Sequence, residues 1–361
     1  MAVPKFDPKE LVVVREEPGM FGFLPPTPVY SYPCTMKEAV HALYKGEPYW
    51  AIFSGDGKSA SPSVNPDNIA RGFCFEHDRI EPIIGRGVPD MFGIEWEYIE
   101  QVQGAMVRPG TPFASDAEDL LKKVVWPEPE KWDWAASAAK NNGTHFVEDN
   151  YNSIMFLNGW FERLISMFDF ENALMVLYDD DQKDAVHEFF DKLTNMYIKI
   201  FGLMIDTYTG IDHFSIHDDW GGQKDTFFSP DLVAEMIVPY MKRVTDYLHS
   251  RGKNAELHSC GNIMKQVPNM IDAGWDAWMP QNVVDSYAVW EKYGDKILVS
   301  LSPRIPEGVG DDDAKKLARE FVDTYMLPGK NCLIGFSMTG IPRAFRDEMY
   351  EYSRKKFSGA L

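Results

Sequence analysis

From residue 49 to residue 337 the chain alternates short apolar runs with amphipathic helical stretches, and this rhythm narrows the folds open to it. The runs are YWAIFSG (49–55), IIGRGV (83–88), HFVEDN (145–150), HFSIHD (213–218), AELHSC (255–260), AWMPQN (277–282), ILVSLS (297–302) and CLIGFS (332–337). Strand–helix alternation of this length implies parallel strands joined by right-handed crossovers. Eight candidate strands suit an α/β chain closed as a (β/α)₈ TIM barrel, although spacing alone also admits a doubly wound sheet. The helix signals are clear in places. TMKEAVHALYKG predicts a helix over 35–45 with a glycine stop. Ser229-Pro230-Asp231 supplies an N-cap, a proline in the first turn and an acid at the positive end. Leu232, Met236, Met241, Val244 and Leu248 then recur near the helical period until Gly252.

Residues 1–35, rich in proline and aromatics, read as an N-terminal arm packed on the body or on a second subunit of a homodimer. Residues 36–361 read as one barrel domain. The stretch 95–142 breaks the rhythm and is expected to form an elaborated loop region over the barrel mouth.

Charge removes several function classes. Lys and Arg number 36 against 55 Asp and Glu, a net −19. Nucleic acids and anionic membranes require clustered cations, so neither is an expected partner. No stretch approaches the ~18 uninterrupted apolar residues of a membrane span. The opening MAVPKFDPKELVVV lacks a basic start followed by an apolar run, and the four scattered cysteines do not form a disulfide framework; a cytoplasmic enzyme is expected.

In a barrel, polar residues at the C-terminal ends of strands face the ligand site. Three strand ends stand out. HFSIHDDWGGQ places His217, Asp218 and Asp219 where an apolar strand stops. In AELHSCGNI, strand alternation puts Glu256, His258 and Cys260 on one face. Imidazole and thiolate are zinc-ligand types, but a His-x-Cys pair alone is a weak signal. CLIGFSMTGIP ends a strand near Ser337, while Cys332 begins it and reads as core. Asn150, Gln281 and Arg304 also follow apolar runs, and Trp96, Tyr98, Trp126, Trp132 and Trp160 are candidates to line an aromatic mouth. There is no G-x-G-x-x-G after the first strand, no Walker motif and no legible Ser–His–Asp set.

The order DDWGGQ, SPDLV, HSRGKNAELHSCGNI and AGWDAWMPQ resembles the uroporphyrinogen decarboxylase superfamily, most closely over 205–345. One branch of that superfamily decarboxylates tetrapyrroles without a cofactor, using an early arginine-rich loop. Here that segment reads SGDGKSASPSVNP, and Arg86 stands alone after the second strand. The other branch comprises corrinoid-dependent methyltransferases that bind zinc through His-x-Cys and a later Cys. His258 and Cys260 match the first two ligands, while Ser337, Met338 and Thr339 stand where the later Cys is expected. Glu256, Asp218 or Asp219 would then supply an oxygen ligand and a harder, more Lewis-acidic site.

The resemblance therefore implies zinc with an undetermined third ligand, and a corrinoid (cobalamin) carried by a corrinoid-binding partner protein. It also implies a methyltransferase acting on a methoxylated aromatic, as in aryl methyl ether O-demethylation. In that reading His217 or Asp219 is a candidate acid for the leaving oxygen. The alternatives are a cofactor-independent decarboxylase or lyase, a different methyl donor, and a cobalamin- or tetrapyrrole-binding chaperone without turnover.

Overall fold

In the computed structural model, residues 3–17, 25–76, 88–100, 104–108, 110–335 and 340–361 are described. The arm contributes β1 (Val13–Glu17) and β2 (Thr27–Tyr30), an antiparallel pair. After them come β3 (Lys58–Ala60) and a small antiparallel sheet of β4 (Val88–Pro89), β5 (Glu95–Ile99) and β6 (Gly104–Val107). The remaining strands are β7 (Asn152–Phe156), β8 (Ile211–His217), β9 (Asn254–His258), β10 (Ala277–Trp278), β11 (Leu298–Leu301) and β12 (Cys332–Ile334).

These six and β3 form one curled parallel sheet in the order β12-β11-β10-β9-β8-β7-β3, an α/β architecture of the TIM-like type. All seven residues of β8 are buried, as expected for a strand covered on both faces. Phe214 packs outward on Phe201 of the helix Lys183–Thr207, with ring centroids 5.1 Å apart. By alternation His213, Ser215 and His217 face the other side, into the concavity of the sheet. Parallel order brings every strand's C-terminal end to one rim.

Four expectations change. First, 49–55 forms no ladder strand; Phe53 makes an isolated parallel bridge to Ile334, with Ser54 N donating to Ile334 O at 2.9 Å. Second, of 83–88 only Val88 is described, and it begins β4 rather than a strand of the parallel sheet.

Third, the strand read at 145–150 lies at Asn152–Phe156 instead. Burial decides it. Ile154 and Phe156 are fully buried, whereas Val147 is 37% exposed. Phe146 closes the turn after the helix Trp134–Asn141 through its N–H to Asn141 O. Fourth, the helix read continuously from Ser229 breaks at Ile237 into Pro230–Met236 and Val238–Ser250. Pro239 has no N–H to donate and its ring clashes with a preceding carbonyl.

The stretch 95–142 divides. β4 to β6 stay near the rim, as the site shows below. Trp126 instead packs on Phe189, 5.6 Å between centroids, on the flank of the long helix Lys183–Thr207. The arm folds back on its own chain: Tyr32 stacks on Trp50 at 5.0 Å, and buried Arg354 pairs with Glu10 at 2.8 Å. No helix among the described residues is long and apolar enough to cross a membrane.

Candidate active site

β7, β8 and β9 deliver the chemically active groups to the rim. His217 ends β8 and His258 ends β9, and the two are register partners. Their rings stack with centroids 4.7 Å apart at 22°. Cys260 follows two residues later, its Sγ 3.9 Å from His258 Nε2. Asp219 turns back over this group and accepts from Cys260 N at 2.6 Å. His217 Nε2 lies 3.6 Å from Asp219 Oδ1.

Behind His217 stands Glu162, in the first turn of the helix Trp160–Phe168 that follows β7. Its Oε2 is 2.8 Å from His217 Nδ1, and its Oε1 is 3.2 Å from Arg71 Nη1. Burial alone would raise the Glu162 carboxyl, yet Arg71 and His217 outweigh it and hold the pKa down at about 2. For His217, burial works against the charge, but Glu162 and then Asp219 raise the pKa to about 10. For His258, burial and then the neighbouring His217 charge lower the pKa to about 3. Without an ion between them, the two stacked imidazoles thus differ, one charged and one neutral; ligating a metal would require His217 to give up its Nε2 proton. Burial raises the Cys260 thiol above its usual range.

Asp218 serves another purpose. It is fully buried and accepts from the backbone N–H groups of Trp160, Phe161 and Glu162 and from Trp220 Nε1, at 2.8–3.2 Å. A side chain from β8 thereby caps the helix after β7, satisfying donors that have no partner within that helix. Burial pushes its carboxyl up to about 7, against the pull of these donors.

The ligand atoms of His217, His258 and Cys260 all lie within 4.8 Å of one another. So do those of Glu162, His217 and Asp219. Tetrahedral zinc with nitrogen and thiolate ligands needs ligand atoms roughly 3.3–3.6 Å apart, close to the His258–Cys260 separation. The carboxylate on His217 Nδ1 is the usual companion of a ligating histidine, leaving Nε2 for the ion. The residues present therefore fit a zinc ion held by two nitrogens and one sulfur.

Other sequence candidates fall elsewhere. Glu256 lies one strand layer below, bonded by Ser215 Oγ at 2.9 Å, and is not among the clustered ligand groups. Burial pushes its carboxyl up to about 7. Asn150 precedes β7, so it sits at the opposite end of the sheet from the rim. Gln281 is at the rim, accepting from Gly261 N at 2.8 Å. Arg304 is an exposed side chain whose guanidinium lies over Tyr287 at 4.3 Å. Trp96 is buried and donates to Asp90 at 3.1 Å. Trp160 is wholly interior, bonded to Thr194. Ser337 lies outside the described residues.

Sequence reading missed Glu162, Arg71 and Asn158. One signal was present. LNGWFER follows β7, and an Asn-Gly turn between a strand and a helix marks a rim; Asn158 adopts φ 62° there.

A curled parallel sheet with imidazole, thiol and carboxylate groups gathered at its strand C-termini defines an enzyme of the TIM-barrel type. The family model for uroporphyrinogen decarboxylase (URO-D) matches residues 86–325, and the chain belongs to that family. No curated protein sequence matches the chain. Among solved structures it is similar to the YdjI aldolase from Escherichia coli K12, at 13% identity over 58% of this chain and 82% of the aldolase, with a TM-score of 0.23. A likeness at that level carries no argument about chemistry.

Proposed function

We propose that the chain is a methyltransferase moving a methyl group from an aryl methyl ether to the reduced cobalt of a corrinoid carried by a partner protein. The observation that supports this most is the His217–His258–Cys260 cluster at the rim. Zinc held there would act as a Lewis acid on the ether oxygen. With one sulfur rather than two, the donor set is harder than a thiolate-rich site and suits an oxygen leaving group. In the transfer the carbon–oxygen bond breaks with its electron pair left on the phenolate, and the acceptor's electron pair forms the new bond to carbon. His217 is then one of the three ligands, with Glu162 on its Nδ1 leaving Nε2 to the ion. In this reading the sheet closes as a full eight-stave barrel, with residues 52–54 as the stave beside β12.

Among the described residues, the two arginines behind the site argue against a polycarboxylate substrate. Arg71 is bound to Glu162 and Asn158, and Arg163 to Asp67 and Asp90. Guanidinium groups already neutralised within the protein are poor clamps for acetate and propionate arms.

An anaerobic assay with free cobalt(I) cobalamin and a panel of methoxyarenes tests the reading. Loss of the cobalt(I) absorbance with a phenol and methylcobalamin appearing is the expected outcome, and Cys260→Ala should abolish both the rate and the bound zinc. No transfer from any arene, with free cobalamin or a supplied corrinoid protein, would sink the ether reading and favour a cofactor-independent lyase.

A further inference from the structure

Arg71 touches neither His258 nor Cys260 in any described hydrogen bond or ion pair, yet it is held on three sides at the back of the site. Its Nη1 donates to Glu162 Oε1 at 3.2 Å and to Asn158 Oδ1 at 2.5 Å. Its guanidinium lies 4.9 Å over the ring of Trp96 on β5. Each of these holders is itself anchored. Asn158 donates to Asp67 at 3.0 Å, and Trp96 donates to Asp90 at 3.1 Å. Both carboxylates converge on Arg163, which is fully buried. The short helix Pro66–Ala70 with Arg71 at its C-terminal end, the β4–β5 turn and the start of the helix Trp160–Phe168 are thus joined through one set of charges.

Glu162 is the outlet of that set. It divides its two oxygens, one to Arg71 and one to His217 Nδ1. A carboxylate held at both oxygens cannot turn without giving up one of those bonds. The ring of His217 inherits that restraint, and its Nε2 is left pointing toward Asp219 and, in the same cluster, Cys260.

We propose that Arg71, acting through Glu162, is the positioning residue that sets the ring of His217 with Nε2 presented to the metal site. This rests on the reading of His217, His258 and Cys260 as a metal centre. Arginine is required rather than any cation, because one planar group must serve Glu162, Asn158 and the Trp96 face together, which a lysine ammonium cannot do.

Cobalt(II) is the probe, titrated into the metal-free full chain and followed by its thiolate charge-transfer and ligand-field bands. The wild type is expected to bind with a tetrahedral spectrum. Arg71→Met should bind about 10- to 100-fold more weakly, with shifted ligand-field bands, which report coordination and not stability. Arg71→Lys should recover only part of the affinity. If Arg71→Met does not fold, Glu162→Gln, which keeps the side chain's shape, carries the test and is expected to weaken binding to the same degree. Wild-type affinity and spectrum in a folded Arg71→Met, or in Glu162→Gln, would overturn the positioning role alone. A wild type that takes up no cobalt would overturn the metal centre, and the positioning role with it.

Discussion

The two aspartates after β8 are neighbours in sequence and opposites in use. Asp219 faces the histidine–cysteine cluster, while Asp218 turns inward to cap the helix Trp160–Phe168. Asp218→Asn should therefore lower stability by ~1–3 kcal/mol, measured by urea unfolding, while leaving metal uptake nearer wild type than Cys260→Ala does.

The ion pair behind the site predicts a pH signature of the metal-free protein. Glu162, held down at about 2, contributes stability above its ordinary pKa of ~4.3 and loses it as pH falls toward 2. His217, raised to about 10, contributes fully below its ordinary ~6.5 and loses that contribution as pH rises through 10. His258, lowered to about 3, withdraws stability below ~6.5, because the unfolded chain binds the proton that the folded one refuses. The urea midpoint should fall between pH 7 and 10, and Glu162→Gln should flatten that slope. An unchanged slope in the variant would mean that Glu162 does not hold the His217 charge.

At the level of elements, close backbone approach fixes the site as firmly as side chains do. Gly261 adopts φ +85°, and a Cβ there would meet Gly221 O at 2.1 Å. The loops after β8 and β9 touch at that point, beside Cys260. Gly261→Ala should destabilise by ~1–3 kcal/mol or more and displace Cys260, seen as a weakened thiolate band on cobalt titration.

The strands carrying this centre were legible in the sequence. β8 and β9 are apolar runs that stop at polar residues, and alternation put His258 and Cys260 on one face. Alternation also put Glu256 there, but a residue two positions earlier lies a layer deeper, where Ser215 meets it. β7 was misplaced because HFVEDN imitates a short strand, and the error moved Asn150 to the wrong end. It also hid Glu162, since a residue's place on a rim is visible only once its strand is placed. Arg71 meets Glu162 across 91 positions of chain, a contact that no local pattern carries.

Across the whole molecule, the first and last segments are tied by a buried charge pair. Arg354, in the helix Arg343–Ser358, is fully buried and bonds both oxygens of Glu10, at 2.8 and 3.2 Å. It also donates to the carbonyls of Tyr49 and Pro4. Removing one partner of such a pair leaves an uncompensated buried charge, so Glu10→Gln should cost ~3–5 kcal/mol, read as a lowered thermal midpoint. The arm is consequently part of the folded body. Composition leaves open whether the arm packs on its own body or on a second subunit, because proline and aromatic density suits either. The stacking of Tyr30 on Tyr350, 4.4 Å between centroids, joins the Glu10–Arg354 pair in holding the arm to its own chain.

The pairing of His217 with His258 across adjacent strands has an evolutionary side. The clustered imidazoles and thiol come from one passage of the chain, β8 to the turn after β9, with the supporting carboxylate and guanidinium drawn from earlier helices. Recombination or loop exchange among the outer staves can therefore retune what the mouth admits without dismantling the centre. The same passage, transplanted into a related scaffold, would carry its reactive groups with it but would need a carboxylate and guanidinium in place of Glu162 and Arg71 to orient them.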